Sequence, residues 1–228
     1  MQSRKIYSLF KKLLFKNGVQ PRIIKHGLFK GIKFYIDIQS ELQFYWGLFE
    51  REIYYWVNKL SKRINTAIDI GVASGEYTIY FLVKTQAKKI FAFDPAQETQ
   101  QSFFDNLKIN NLNNNKRLKY YNKFVSDKIT DNTMTLDSIK TQIEGPCLIK
   151  IDVDGGELDI LKGATEFLKL SDCSWIIETH SKQLEEDCIN ILNIAQYKTI
   201  IVPNAWWRII VPEQRPIEHN RWLVAFKD

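Results

Sequence analysis

Cysteine is scarce in this chain of 228 residues: Cys147, Cys173 and Cys188 are odd in number and form no Cys-x-x-Cys pair. That argues against both a disulfide framework and a zinc cluster, and two of the three sit in apolar strand patterns, so reduced structural thiols are expected. No apolar run approaches the roughly 18 residues that cross a bilayer, and the basic start lacks an apolar h-region and a cleavage site, so a cytoplasmic chain is expected. No Pro/Ser/Gly-rich linker divides the chain, and there are no internal repeats or long low-complexity tracts; Asn110 to Asn115 is a short polar loop. A composition of 45% hydrophobic and 25% charged residues excludes global disorder. The length suits one α/β domain able to bury a sizeable core.

Charge is unevenly placed. Residues 1–63 hold 13 Lys/Arg against 4 Asp/Glu, so the net +6 of the whole chain is concentrated there. Ile6, Leu9, Phe10, Leu13 and Leu14 recur at helical spacing among Arg4, Lys5, Lys11, Lys12 and Lys16, which predicts a basic amphipathic helix over residues 4–16. Such a helix either packs on the domain with a solvated basic face or makes peripheral contact with an anionic membrane or a partner. No basic-aromatic recognition motif accompanies the charge, so nucleic acid is not the expected partner.

The most informative stretch is Thr66 to Thr78. Ala67-Ile68-Asp69-Ile70 reads as a buried strand, Gly71 to Gly75 as a loop, and a helix begins near Glu76. A strand, a glycine loop and a helix form a nucleotide-binding corner: Gly71 permits a tight turn and Gly75 a close approach by a ligand or the helix. The pattern Asp-x-Gly-x-x-x-Gly is not the Gly-x-Gly-x-x-Gly suited to a dinucleotide pyrophosphate, which favours a ligand without phosphates. A second strand, Lys89 to Phe93, ends in Asp94-Pro95, 25 residues beyond Asp69. A carboxylate there suits both ribose hydroxyls, or else caps the helix from Ala96 to Ile109.

The rest of the chain continues the alternation. Before the corner, Gly27 to Ile38 predicts a small hairpin, followed by an aromatic-rich stretch from Phe44 to Glu50 and a helix carrying Ile53, Tyr54, Trp56, Val57 and Leu60. After it, strands are expected over Lys119 to Val125, Cys147 to Ile151, Ser174 to Ile177, Lys198 to Val202 and Trp222 to Phe226, with a short helix near Ile139 and another from Glu185 to Ala195. Two units are expected, an N-terminal extension over residues 1–63 and a doubly wound α/β domain over 64–228. Asp69, Asp94, Asp152, Glu178 and His180 all fall at carboxyl ends of strands, where such folds bind ligands.

These motifs resemble the FkbM family of S-adenosylmethionine-dependent methyltransferases. The likeness rests on Asp69-Ile-Gly-Val-Ala-Ser-Gly-Glu-Tyr-Thr78, Phe93-Asp94-Pro95, Val125-Ser126-Asp127, Thr135-Leu136-Asp137-Ser138-Ile139 and the run from Leu148 through Asp152 to Gly163, with Gly47-Leu48-Phe49-Glu50 as lead-in. It implies a Rossmann-like, doubly wound, seven-stranded, mostly parallel sheet of the class I methyltransferase fold. It also implies S-adenosylmethionine as cofactor and O-methylation of a hydroxyl on a sugar, glycan or secondary metabolite. The chain departs from the family at Val72-Ala73-Ser74, where Ala-Asn-Ile is frequent, and at Asp154 and Gly156, where Glu and Ala are usual.

On that reading, Asp69 and the backbone near Gly71 hold the methionine part, with Gly75, Tyr77 and Thr78 from the same motif. Asp94 with Pro95 meets the ribose, Ser126 with Asp127 the adenine, and Asp152 either the methionine or the acceptor. His180 is the candidate base, since an imidazole of ordinary pKa suits proton transfer near neutrality; it equally suits a helix cap or a position facing solvent. Glu178 and Asp152 orient substrate or a metal, a choice the sequence leaves open. Trp206, Trp207, Arg208 and Arg221 form a candidate acceptor platform, with core packing or subunit contact the alternatives for the indoles. An RNA methyltransferase and a non-catalytic Rossmann-like binding protein are the competing classes; against the first, the segment after Ile151 lacks an Asn/Asp-Pro-Pro-Tyr loop.

Overall fold

A computed structural model describes residues 18–205, 208 and 219–227. The expected basic helix over residues 4–16, and Trp206 and Trp207, lie outside them. The chain opens with an antiparallel pair, β1 (Gln20–Ile23) and β2 (Lys33–Ile36). The hairpin therefore lies earlier than the sequence predicts: residues 27–31 are its turn rather than its first strand. The aromatic stretch is partly helical, α1 (Ile38–Tyr45), started by Asp37, whose carboxylate accepts the Gln39 N–H at 2.9 Å. The next helix, α2 (Tyr54–Leu60), follows a 3₁₀ turn over Arg51–Ile53.

The strand, loop and helix of the motif are β3 (Thr66–Ile70) and α3 (Glu76–Lys84). Then come β4 (Lys89–Phe93), α4 (Gln97–Ile109) and β5 (Leu118–Tyr121). The long strand expected over Lys119 to Val125 is broken. Its second part, β6 (Phe124–Val125), leaves the main sheet and pairs with β7 (Thr133–Met134). The remaining elements are β8 (Cys147–Ile151), α5 (Glu157–Lys162), β9 (Cys173–Thr179), α6 (Lys182–Ile194), β10 (Lys198–Val202) and β11 (Arg221–Phe226). Ser181 caps α6 by accepting the Leu184 N–H, which starts that helix one turn before the sequence expectation.

The main sheet has seven strands in the order β10-β11-β9-β8-β3-β4-β5. All run parallel except β11, which is antiparallel to both neighbours. The sequences of β3 and β8, Thr-Ala-Ile-Asp-Ile and Cys-Leu-Ile-Lys-Ile, are buried at every position, as strands covered on both faces must be. From β3 the chain winds toward β5, and from β8 toward β9. This reversal opens a crevice at the carboxyl ends of β3 and β8.

Strand alternation sorts the core onto two faces. Ile68, Ile70, Phe91, Phe93, Ile149 and Ile177 pack with α5 and α6. Ala67, Ile90, Ala92, Leu148, Ile176 and Trp222 pack with α3 and with Ile24, Phe29, Phe34, Phe44, Ile53 and Val57 of the N-terminal segment. Residues 24–57 thus form one continuous core with the sheet. The same alternation turns Asp69, Asp94, Lys150, Asp152 and Glu178 toward the face that the N-terminal segment covers. Cys147, Cys173 and Cys188 are free and buried. Among the described residues, no helix is long and apolar enough to cross a membrane.

Candidate active site

Above the crevice lies a cavity of about 350 Å³, within the range of roughly 300–1,000 Å³ typical of small-ligand sites. The loop after β3 (Gly71 to Ser74), Glu76 and Tyr77 of α3, Lys150, Asp152 and Glu178 form its sheet side. Glu41, Gln43, Phe44, Phe49 and Glu50 close it from the N-terminal segment, and Arg208 and Asn220 from the C-terminal part.

Gly71 has φ of 87°, and a Cβ there would sit 1.8 Å from the Asp152 carbonyl oxygen, so the loops leaving β3 and β8 meet backbone to backbone. Gly75 serves the helix alternative: its φ is 96° and a Cβ would strike the Phe103 ring of α4 at 2.4 Å. Asp69 lies beneath the cavity rather than on its wall. It is 1% exposed; Thr78 Oγ1 donates to Oδ2 at 2.6 Å and Oδ1 has no hydrogen-bond partner. Burial pushes its carboxyl up to about 6, opposed by the Lys150 ammonium and the Thr78 hydroxyl.

Asp94 accepts the Ala73 N–H at 2.7 Å and the Ala96 N–H at 2.8 Å. It therefore clamps the glycine loop, where Ala73 holds a left-handed φ of 48°, to the start of α4. Each of its oxygens keeps a second lone pair for a ribose hydroxyl. Pro95 follows directly. Ser126 and Asp127 share a weak 3.3 Å contact after β6 and, like Asp94, are not among the residues lining the cavity.

Lys150 organises the charge. Its Nζ donates to Asp152 Oδ2 at 2.8 Å and stands 4.5 Å from the centre of the Tyr77 ring. Burial opposes its charge, but Asp152, Glu50 and Asp69 together hold it firmly protonated. Burial pushes Asp152 up as well, yet Lys150 and a hydrogen bond from Glu178 outweigh it and keep this carboxyl well below its usual range. Burial first, then the Asp152 charge, push Glu178 the other way, so it holds its proton. Glu50 accepts the Tyr77 hydroxyl at 2.7 Å, and burial raises it to about 8 against the pull of Lys150. Burial likewise raises Glu76 to about 7.

His180 is set behind this row, and the cavity wall does not include it. Its Nδ1 lies 2.6 Å from Glu157 Oε1, and its Nε2 faces Glu178 Oε2 at 3.6 Å and Asp154 Oδ1 at 3.8 Å. Of the candidate acceptor residues, Arg208 reaches the cavity, with its guanidinium paired to the buried Glu52 at 2.5 and 3.1 Å. Arg221 does not line it: its guanidinium grips the buried Glu185 and ties β11 to α6.

Sequence reading missed Lys150, Glu41, Glu76 and Glu157, and assigned Glu50 no role. Two signals were available. A lysine within the apolar run Cys-Leu-Ile-Lys-Ile requires a buried counter-ion, and a glutamate ending an aromatic stretch sits where water is excluded.

The strand order, the glycine loop after β3 and the acid-lined crevice define the class I methyltransferase fold. Residues 111–199 match the family model of the methyltransferase FkbM domain, the family its motifs resemble. Among solved structures, a methyltransferase FkbM from Methylobacillus flagellatus is similar at a TM-score of 0.61 and 19% identity, over 77% of this chain and 47% of that one. The chain thus spans about half of that relative's length. A precorrin-6y C5,15-methyltransferase from Geobacter metallireducens gives a TM-score of 0.50 at 15% identity, covering 75% of this chain and 84% of that one. An rRNA methylase from Streptococcus thermophilus gives 0.52 at 10% identity, over 78% and 97%. These likenesses show a shared fold. No curated protein sequence matches the chain.

Proposed function

We propose that this protein is an S-adenosylmethionine-dependent O-methyltransferase acting on a hydroxyl of a sugar, glycan or secondary metabolite. The observation that carries the reading is the cavity at the carboxyl edge of the sheet, walled by the FkbM-like motifs and rich in carboxylates. A methyl donor with a sulfonium and an ammonium group fits this wall: the ionised Asp152 opposes its positive charge, Glu50 and Glu76 are carboxyls whose ionisation it would favour, and the Tyr77 ring face already accommodates a cation in Lys150. Asp94 would hold the ribose, and Ser126 with Asp127 the adenine. S-adenosylmethionine supplies, when bound, an electrophilic methyl group.

The protein's own part is chiefly positioning. Holding two reactants in line supplies up to about 7–11 kcal/mol of a transfer barrier. Phe44, Phe49 and Tyr77 exclude water from the same space. Lys150 keeps Asp152 ionised and fixed, ready to accept a hydrogen bond from the acceptor hydroxyl or the donor's ammonium. Arg208, anchored by Glu52, presents its edge at the acceptor side.

Calorimetric titration with S-adenosylmethionine tests the cofactor, and incubation with methyl-labelled cofactor and a panel of glycosides and RNAs tests the acceptor. Label in an alkali-stable ether of a glycoside is expected. Label in RNA alone would replace the acceptor class, and no cofactor binding would leave a non-catalytic Rossmann-like protein.

A further inference from the structure

We propose that Asp152, Glu178 and His180 form a binding site for a divalent metal ion at the base of the cavity. One ligand atom from each lies within 4.8 Å of the others. Adjacent positions around an ion with bonds of roughly 2.0–2.3 Å lie about 3–4 Å apart, so the three side chains would draw together by rotamer adjustment to bind one. The two carboxyls end β8 and β9 side by side, and strand alternation places Glu178 and His180 on one face of β9.

The histidine is the independent pointer. Its side chain is 9% exposed, and its Nε2 is shut off from solvent with no hydrogen-bond partner. The groups facing that nitrogen are acid oxygens, Glu178 Oε2, from which an ion would displace the proton, and, from the exposed Asp154, Oδ1. Its other nitrogen meets Glu157 Oε1, from a side chain fully buried at the start of α5. A carboxylate on Nδ1 that leaves Nε2 to the ion is the usual support behind a metal-bound histidine. An acid buried against one imidazole is otherwise a costly arrangement.

Two carboxylates and one imidazole suit an oxygen-preferring divalent ion that also accepts a nitrogen ligand, such as Mn²⁺. Lys150 engages Asp152 through Oδ2, and an ion would take the place of the proton that Glu178 shares with Asp152. Since Asp152 and Glu178 line the cavity, open coordination positions face the acceptor space. An ion there would acidify a coordinated hydroxyl, a use that rests on the proposed methyl transfer; the site itself does not.

The test is titration of the full chain, stripped with EDTA, with Mn²⁺ followed by electron paramagnetic resonance. One ion per chain is expected, with nitrogen hyperfine coupling from His180. Glu178→Gln and His180→Gln should each weaken binding at least about tenfold, and Glu157→Gln, which acts through His180, about 10- to 100-fold. Glu166→Gln, at an exposed acid, should leave it unchanged. Absence of binding at about 1 mM Mn²⁺, or binding without nitrogen coupling in the wild-type chain, overturns the proposal even if a variant fails to fold. Calorimetry of S-adenosylmethionine in EDTA separates the two readings. Cofactor binding without Mn²⁺ binding removes only the ion, and Mn²⁺ binding without cofactor binding removes only the methyltransferase.

Discussion

Replacing Lys150 with Met probes the charge arrangement beneath the cavity most directly. The aliphatic stem and its place beside Tyr77 and Trp222 are retained, while the ammonium that compensates Asp152, Asp69 and Glu50 is lost. Removing one partner of a buried pair costs about 3–5 kcal/mol because the other charge is left unpaired. The Asp152 side chain is 23% exposed against 3% for Lys150, so water recovers part of the loss and about 3 kcal/mol is expected. The pH dependence follows from the carboxyls. Lys150 now lowers both Asp69, at about 6, and Glu50, at about 8. Without it both rise further, so the folded state holds more protons than the unfolded chain over a wider interval and the deficit grows as pH rises. Urea unfolding in EDTA at about pH 5.5 and 8 measures it. A loss below about 1 kcal/mol at the higher pH, or an equal loss at both, would refute the view that Lys150 neutralises a buried acid cluster.

Four further outcomes are expected. Asp94→Ala removes the clamp on Ala73 and the proposed ribose contact; S-adenosylmethionine affinity should fall about 10- to 100-fold, and unchanged calorimetric affinity would dismiss the assignment. Glu50→Gln keeps an acceptor for the Tyr77 hydroxyl. Because the Glu50 carboxyl is raised from 4.5 to about 8, its ionisation makes wild-type stability decline across that interval by at most about 1.4 kcal/mol per pH unit, and the variant should show a shallower decline in urea titrations. Arg221→Ala leaves the buried Glu185 poorly paired and should cost about 1–3 kcal/mol of stability with cofactor affinity intact; a selective loss of acceptor binding would restore Arg221 to the cavity. Gly71→Ala forces the β3 and β8 loops apart and should abolish cofactor binding, whereas an unaltered isotherm would show that the crossing can relax.

Much of the sheet was legible because its strands carry local signatures. Parallel strands buried on both faces must be continuous apolar runs, and Asp69, Asp94, Asp152 and Glu178 stand out as acids ending such runs. Less visible was the division of labour among those acids, which depends on distances in space. Asp69 and Lys150 are register partners on adjacent strands although 81 positions separate them in the chain. The break at Asn122 falls where Asn122-Lys123 weakens the strand propensity of Lys119 to Val125, but that Phe124 then pairs with Thr133 depends on tertiary structure.

The N-terminal segment shows how far this limit reaches into function. Read along the chain, residues 1–63 look like an N-terminal extension that docks on the α/β domain. In the fold, Phe29 packs edge-on against Phe34, Phe44, Tyr54, Tyr77 and Tyr80, and this packing seats Glu50 against the Tyr77 hydroxyl. The sheet alone would leave the crevice open to water and its carboxylates screened. The aromatic cover supplies the low-dielectric wall that raises Glu50, Glu76 and Asp69 and makes the Lys150 counter-charge necessary. The charge balance of the crevice is therefore a joint property of the FkbM-like strands and the segment that precedes them.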